Sequence, residues 1–334
     1  MNDKVLIFSD PHIGEHGTFY KHGENLRLYD IQKSLNFILQ YVIDNKIRYI
    51  IIGGDVFKTR HPNSYELSIF NKFINSAKEN NTEIHLVLGN HDYIRENLNI
   101  ATPLLKLNLD NVFVYETIED IKIPGHKILA IPYNINDVNR VKKISKDYEL
   151  IVGHKGLNCI RGFEGDGSYE DYFSDKNKQL ILLGHYHGFT KIKDNCYFIG
   201  DVIQLTFAEA GQKKYFCVFN SYKKYEFIEI PTRKLIDIKI DNIRALQKLD
   251  IPKRSIVRFF IEDKIERDVL VDYCIKKYIY MQSILYNNEK DSGGEIKQGK
   301  DIKTKGQKSL LKDYLKTVGK EKLLNVCENL IDKR

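Results

Sequence analysis

The chain has no tryptophan and only five cysteines in 334 residues. The cysteines stand at 159, 196, 217, 274 and 327. Their number is odd, their spacings are long and no Cys-x-x-Cys occurs. That pattern argues against a disulfide framework and against a structural zinc site. No apolar run is long enough to span a bilayer, and Met1-Asn2-Asp3-Lys4 leads straight into an apolar segment without the features of a secretory signal. The expectation is a cytoplasmic, reduced protein with no membrane partner. Apolar residues make up 42% and charged residues 29%, which excludes disordered, collagen-like and fibrous classes.

The composition favours Ile, Lys, Asn and Tyr over Ala, Gly and Trp, a bias that AT-rich coding produces and that raises Lys without any function. The net charge of +7 is nevertheless uneven. Residues 1–230 carry 28 Lys/Arg against 29 Asp/Glu, and residues 231–334 carry 24 against 16. All the excess positive charge falls in the last third. A polyanion partner is one reading of this, and a Lys-rich solvated surface is the plain one.

Periodicity predicts buried strands over Lys4–Ser9, Arg48–Gly53, Glu83–Leu88, Leu150–Val152 and Leu180–Leu183. It predicts helices over Leu26–Asn45 and Ser64–Asn80, the second capped by Ser64. Shorter strands follow at Tyr197–Ile199, Tyr215–Asn220 and Lys224–Ile230. The first half alternates strand and helix and the later part is strand-rich, which predicts a layered α/β architecture. Pro231 opens a second unit over 231–287, with strands at Ser255–Glu262 and Met281–Tyr286 around a helix at Ile265–Tyr278. Residues 288–308 read as a polar linker. Residues 309–334 read as two short amphipathic helices, with Leu310, Leu311, Tyr314 and Leu315, then Leu323, Leu324, Val326 and Leu330, on their apolar faces. Such faces fold back or bind another protein.

Five clusters place polar, metal-type ligands directly after a predicted strand. They are Asp10-Pro11-His12, Gly54-Asp55, Gly89-Asn90-His91-Asp92, Gly153-His154 and Gly184-His185-Tyr186-His187. Open α/β sheets put ligand sites beyond the carboxyl ends of their strands. Half of the ten histidines fall in these clusters. Carboxylate, imidazole and amide oxygen suit Mn²⁺, Fe²⁺ or Zn²⁺. Two ions ~3.5–4 Å apart need a bridging ligand, and Asp55, alone on its turn, is the best candidate. Such a pair polarises a phosphorus centre and activates a bridging water. His91, beside the candidate ligand Asn90, is placed to protonate a leaving alkoxide. His16, His22, His61, His85 and His126 read as structural.

This ordered set resembles the calcineurin-like metallophosphoesterase superfamily. Within it, Ser9-Asp10-Pro11-His12-Ile13-Gly14, Arg27 with Asp30, Gly54-Asp55-Val56-Phe57 with Pro62, and Gly89-Asn90-His91-Asp92 resemble the SbcD/Mre family of DNA-repair nucleases. Residues 196–216, with Gly200 and Phe207-Ala208-Glu209, are similar to that family's segment after the last ligand motif. The resemblance covers roughly residues 1–220 well and 231–290 in outline, as a small capping domain that contacts DNA. The length resembles the nuclease subunit of large tailed phages, which would place the protein in a host cytoplasm.

The resemblance implies a four-layer α/β/β/α sandwich with a small α+β capping domain and C-terminal helices. It implies one metal held by Asp10, His12, Asp55 and His187, and a second held by Asp55, Asn90, His154 and His185. His91 would be the catalytic histidine. The ions would be Mn²⁺, with Mg²⁺, Fe²⁺ or Zn²⁺ as alternatives. The partners would be DNA, an SbcC-like ABC/SMC ATPase engaged through the C-terminal helices, and a second copy of the chain. The activity would be 3′–5′ exonuclease and endonuclease cleavage in recombination, repair or replication. Asp201 departs from the family by following Gly200 where a small residue is usual, which would turn a carboxylate toward DNA. Residues 155–178, with Glu164, Asp166, Glu170 and Asp171, match no family pattern. The competing reading is a phosphoesterase for a small-molecule or protein substrate. Its protein-phosphatase branch carries Gly-Asp-x-x-Asp-Arg-Gly, which Gly54-Asp55-Val56-Phe57-Lys58-Thr59-Arg60 does not match. A non-catalytic scaffold would have no need of a complete ligand set.

Overall fold

The structure is a computed structural model. It describes residues 3–17, 20–21, 24–94, 110–134, 137–157, 179–261 and 265–286. The linker expected over 288–308, the helices expected over 309–334 and most of the 155–178 loop lie outside these residues.

Short β-branched and aliphatic runs form two six-stranded sheets. The first contains β1 (Val5–Phe8), β4 (Tyr49–Ile52), β5 (Glu83–Val87), β6 (Val112–Tyr115), β13 (Lys214–Ser221) and β14 (Lys224–Ile230), in the order β14-β13-β1-β4-β5-β6. Here β1, β4, β5 and β6 run parallel, and β13 and β14 close one edge antiparallel. The second contains β7 (Glu119–Ile121), β8 (Ile128–Ile131), β9 (Leu150–His154), β10 (Leu180–Gly184), β11 (Thr190–Lys193) and β12 (Cys196–Phe198), in the order β11-β12-β10-β9-β8-β7. Its four central strands are parallel.

Side-chain alternation decides the layering, because successive residues of a strand face opposite sides. Leu6, Phe8, Ile50, Ile52, Ile84 and Leu86 pack outward against α1 (Leu26–Asp44) and α2 (Ser64–Glu79). Val5, Ile7, Tyr49, Ile51 and Val87 pack inward against Ile128, Ala130, Leu150, Val152, Leu180 and Leu182 of the second sheet. Leu129, Ile131, Ile151, Ile181 and Leu183 face the far side, where Val141 of α3 (Val138–Ile144) covers them. The result is a helix, sheet, sheet, helix stack. Both faces of β1, β4, β8, β9 and β10 are buried, so these strands read as continuous apolar runs.

Sequence reasoning places the cap of α2 one residue late. Asn63 is the N-cap, accepting from the Tyr65 and Glu66 N–H groups at 2.9 and 3.0 Å, while Glu66 Oε2 accepts the Asn63 N–H at 2.8 Å. This reciprocal pair outcompetes a lone serine hydroxyl. Asn25 caps α1 through the Arg27 and Leu28 N–H groups. A two-stranded ribbon, β2 (Tyr20–Lys21) and β3 (Glu24–Asn25), precedes that cap.

After Pro231, β15 (Leu235–Ile240), β16 (Ile256–Ile261) and β17 (Tyr280–Tyr286) form a parallel three-stranded sheet. With α4 (Ile243–Gln247) and α5 (Arg267–Lys277) it encloses its own apolar core. It is tied to α1 by an ionic clasp. Arg233 donates to both oxygens of Asp30, at 2.7 and 2.9 Å, and Arg27 donates to Asp30 at 2.8 Å. The Leu235 N–H also donates to Gln204 Oε1 at 2.7 Å.

Candidate metal centre

The parallel strands β1, β4 and β5 of one sheet and β9 and β10 of the other bring five segments together. The Asp10 N–H donates to the Gly54 carbonyl at 3.1 Å and the His12 N–H to the Asp55 carbonyl at 3.0 Å. Four of the polar residues here, Asp10, His12, Asp55 and His185, have positive φ, at 51°, 42°, 52° and 89°. Non-glycine residues avoid that region at about 1–2 kcal/mol each, and such strain collects at functional sites. Gly54, at φ 101°, turns the chain against the opposite sheet, and a Cβ there would strike the His154 ring and the Gly89 amide.

All eight residues singled out in the sequence meet in this crevice. His12 Nε2 lies 3.0 Å from His187 Nε2, 3.7 Å from Asp10 and 3.5 Å from Asp55. His154 Nε2 lies 3.6 Å from Asp55 and 3.1 Å from Asn90 Oδ1. His185 Nδ1 lies 2.9 Å from the same Asn90 oxygen. Asp55 Oδ2 is thus shared between the two groups, while its Oδ1 accepts the His91 N–H at 2.8 Å. His91 Nε2 stands 3.9 Å from Asp55 Oδ2 at the mouth, with its side chain 39% exposed against 3% for Asp55.

Sequence reasoning missed the residues that hold this arrangement. Asp92 closes the Gly89-Asn90-His91-Asp92 turn by accepting the Gly89, Asp55 and Val56 N–H groups at 2.8, 2.7 and 3.0 Å. The Ser9 hydroxyl lies on both Asp10 and the Gly53 carbonyl. His154 Nδ1 lies 2.7 Å from the Gly53 carbonyl, so it carries the proton and leaves Nε2 as the lone-pair donor. The Tyr133 ring packs beside both His154 and His185. The signals were in plain view for Asp92 and for Glu209, since both fall inside motifs that the sequence displays. Asp201 corrects an expectation: it is wholly buried and paired with Lys214, not turned toward a substrate. The β13 strand supplies a buried ammonium that draws the carboxylate inward.

The electrostatics follow from burial. Burial pushes Asp10 up to about 6, partly offset by His187, and pushes Asp55 well above the carboxylate range with Asp10 and Asp92 adding to it. Burial and the neighbouring imidazoles press His12 and His154 well below the usual histidine value, and His185 to about 4. At His187 burial works downward, but Glu209, Asp201 and Asp10 outweigh it and raise the ring to about 9. The neutral imidazoles of His12, His154 and His185, with buried carboxylates aimed at them, are a donor set a divalent cation takes, and His187 joins it by giving up a proton. Asp10, His12 and His187, and Asp10, Asp55 and His154, each bring one ligand atom within 4.8 Å of the others. Two adjacent ions fit that set.

Three of the other histidines have structural partners, and His22 lies outside the described residues. His126 lies 2.7 Å from both Glu149 and the Asp3 carbonyl. His85 lies 2.8 Å from the Tyr115 hydroxyl, and His16 lies 2.9 Å from the His12 carbonyl.

Comparison with known proteins agrees with the fold. The chain is 25% identical over 291 residues to the protein 244L of Invertebrate iridescent virus 6, which carries a phosphoesterase name, covering 79% of this chain and 95% of that one. It is 21% identical over 288 residues to the DNA double-strand break repair protein Mre11 of Archaeoglobus fulgidus, covering 73% of this chain and 63% of that one. Over 91 residues it is 30% identical to the SbcD component of the nuclease SbcCD of Escherichia coli K12, covering 27% of this chain and 22% of that one. The family model described as calcineurin-like phosphoesterase matches residues 3–189, more than half of the chain, and with the two-sheet sandwich and its crevice of donors this makes the chain a member of the calcineurin-like phosphoesterase family.

Proposed function

We propose that the chain is a two-metal DNA nuclease of the SbcD/Mre type, hydrolysing phosphodiester bonds as a 3′–5′ exonuclease at duplex ends and as an endonuclease. Asp10, His12, Asp55 and His187 would hold one ion, and Asp55, Asn90, His154 and His185 the other. Mn²⁺ is the ion proposed. Bound there, the ions supply Lewis-acid polarisation of the phosphate and an activated water.

The observation that carries the reading is the placement of His91. Its backbone is fixed by Asp55, its ring sits edge-on to His12 at 5.1 Å between centroids, and its side chain reaches the open mouth of the crevice. A histidine that touches the donor set and is still open to solvent is placed to meet a substrate's leaving oxygen and give it a proton. The archaeal Mre11 relative and the local match to the SbcD component of SbcCD support DNA as substrate. The basic last third supports a polyanion. Attachment of residues 309–334 to an SbcC-like ATPase, and pairing with a second copy, belong to the same proposal. The competing reading, a small-molecule or protein phosphoesterase, draws on the iridovirus relative, whose name specifies no substrate.

The test is degradation of end-labelled linear duplex in Mn²⁺, with bis-p-nitrophenyl phosphate in parallel. A product ladder shortening from the 3′ end supports the nuclease. Turnover of the diester with intact DNA, even after adding the ATPase, favours the competing reading. Removal of residues 302–334 is expected to leave the chemistry and abolish ATPase binding.

A further inference from the structure

His187 faces Asp10 and His12 with Nε2, and behind it lies a second buried cluster. His187 Nδ1 stands 3.6 Å from Glu209 Oε1 and 3.8 Å from Asp201 Oδ2. The fully buried Lys214 ammonium touches Asp201 Oδ1, reaches Glu209 Oε2 at 2.7 Å and donates to the His187 carbonyl at 3.0 Å. Glu209 is itself held by the Leu205 N–H at 3.1 Å and the Thr206 hydroxyl at 3.5 Å. The Asp201 N–H donates to the His187 carbonyl at 3.3 Å. The cluster therefore holds the His187 backbone by hydrogen bonds and stands within ion-pair distance of its ring.

Burying an ammonium and two carboxyl groups together is costly unless they pair with one another. A third cation is one use for such a cluster, since His187, Asp201 and Glu209 offer ligand atoms within 4.8 Å of one another. Lys214 Nζ already contacts both carboxylates, so the position such an ion would take is filled by the chain's own ammonium. What the arrangement does accomplish is directional. Two carboxyl groups converge on one ring nitrogen of a histidine whose other nitrogen faces the donor crevice. A metal-ligating histidine that gives its second N–H to a carboxylate is fixed in tautomer and orientation, and becomes a more basic ligand.

We propose that Glu209, seated by Lys214 and backed by Asp201, is a positioning residue. It takes the Nδ1–H of His187 and keeps Nε2 as the lone-pair donor of the metal centre. This rests on the two-metal reading above and adds an asymmetry to it. Only the ion held by Asp10, His12, Asp55 and His187 is under the control of this cluster. His154, which belongs to the other group, has its own anchor in the Gly53 carbonyl.

The experiment is a calorimetric Mn²⁺ titration of the full chain and of Glu209→Gln, Glu209→Asp, Asp201→Asn and His154→Ala, each checked for folding by thermal melting in chelator. The wild type should show two binding classes. Glu209→Gln should weaken one class by about 10–100-fold and leave the other unchanged. Glu209→Asp, which keeps the charge, should recover part of the loss, and Asp201→Asn should weaken the same class less. His154→Ala should remove the class that Glu209→Gln spares. Two unchanged classes in Glu209→Gln, or two equally weakened ones, would overturn the positioning role while leaving the two-metal reading intact. A folded wild type that takes up no Mn²⁺ would overturn both. Should Glu209→Gln fail to fold, the contrast between Glu209→Asp and Asp201→Asn decides: losses spread over both classes overturn the proposal.

Discussion

Asp92 holds Asp55 by its backbone: Asp92 Oδ2 accepts the Asp55 N–H at 2.7 Å, and Oδ1 accepts the next N–H, of Val56, at 3.0 Å. The side chain at the centre of the crevice thus owes its position to a carboxylate that is itself buried. Asp92→Asn would turn an amide N–H₂ toward backbone N–H groups and leave a buried donor unpaired. The expected cost is about 1–3 kcal/mol, read as a lowered melting temperature, together with weakened metal uptake at the Asp55 sites. Unchanged melting and unchanged uptake would remove Asp92 from this role.

His91→Ala and His185→Ala should separate two kinds of histidine. His91 is the proposed proton donor, so its loss is expected to slow diester hydrolysis by about 10²–10⁴-fold with both ions retained. His185→Ala should lose hydrolysis and one ion together. Elemental analysis alongside a rate measurement distinguishes them, and equal metal loss in both variants would contradict the assignment.

The small C-terminal sheet hangs on Asp30, which answers both Arg27 and Arg233. Arg27 is 1% exposed, so Asp30→Ala leaves a buried guanidinium on the Gln204 carbonyl without its carboxylate partner. A loss of about 3–5 kcal/mol is expected, with faster hydrogen exchange over β15, β16 and β17. An unaltered denaturation midpoint would show that the clasp is dispensable.

His85 on β5, packed against Tyr115, contributes to an acid limb of stability. Burial lowers it to about 4 from its ordinary 6.5. The unfolded chain then binds a proton that the folded chain refuses between those values. Stability from this group is full above pH 6.5 and falls as pH drops toward 4, by about 3 kcal/mol in all. His85→Phe should make that stretch of the stability profile shallower, measured by denaturant unfolding across the pH range, with His16 and His185, also lowered to about 4, still contributing. A wild-type slope in the variant would assign the acid limb to other groups.

Much of this was legible in the sequence because the donors sit at fixed offsets from strands buried on both faces. The continuous apolar runs ending at Asp10, Asp55, Asn90, His154 and His185 announce both the parallel sheets and the place where their ends converge. Elements with weaker patterns were less legible. The strands β6, β7 and β8 lie in a stretch where turns and charged residues interrupt the alternation. The strand β15, Leu235–Ile240, follows soon after Pro231 and is not among the predicted strands. Asn63 lost to Ser64 because a cap is decided by where the first N–H groups point. The role of Asp201 depends on Lys214, thirteen residues away in sequence, and only the fold brings an ammonium to it.

Asp55 is the shared member of the two-metal hydrolytic centre proposed for the buried carboxylates and imidazoles. The direct measurement is Mn²⁺-dependent hydrolysis of bis-p-nitrophenyl phosphate, with bound metal counted in the same samples, for wild type and Asp55→Asn. Two ions and turnover are expected in the wild type, with loss of turnover and of metal in the variant. Turnover at the wild-type rate in folded Asp55→Asn would contradict it.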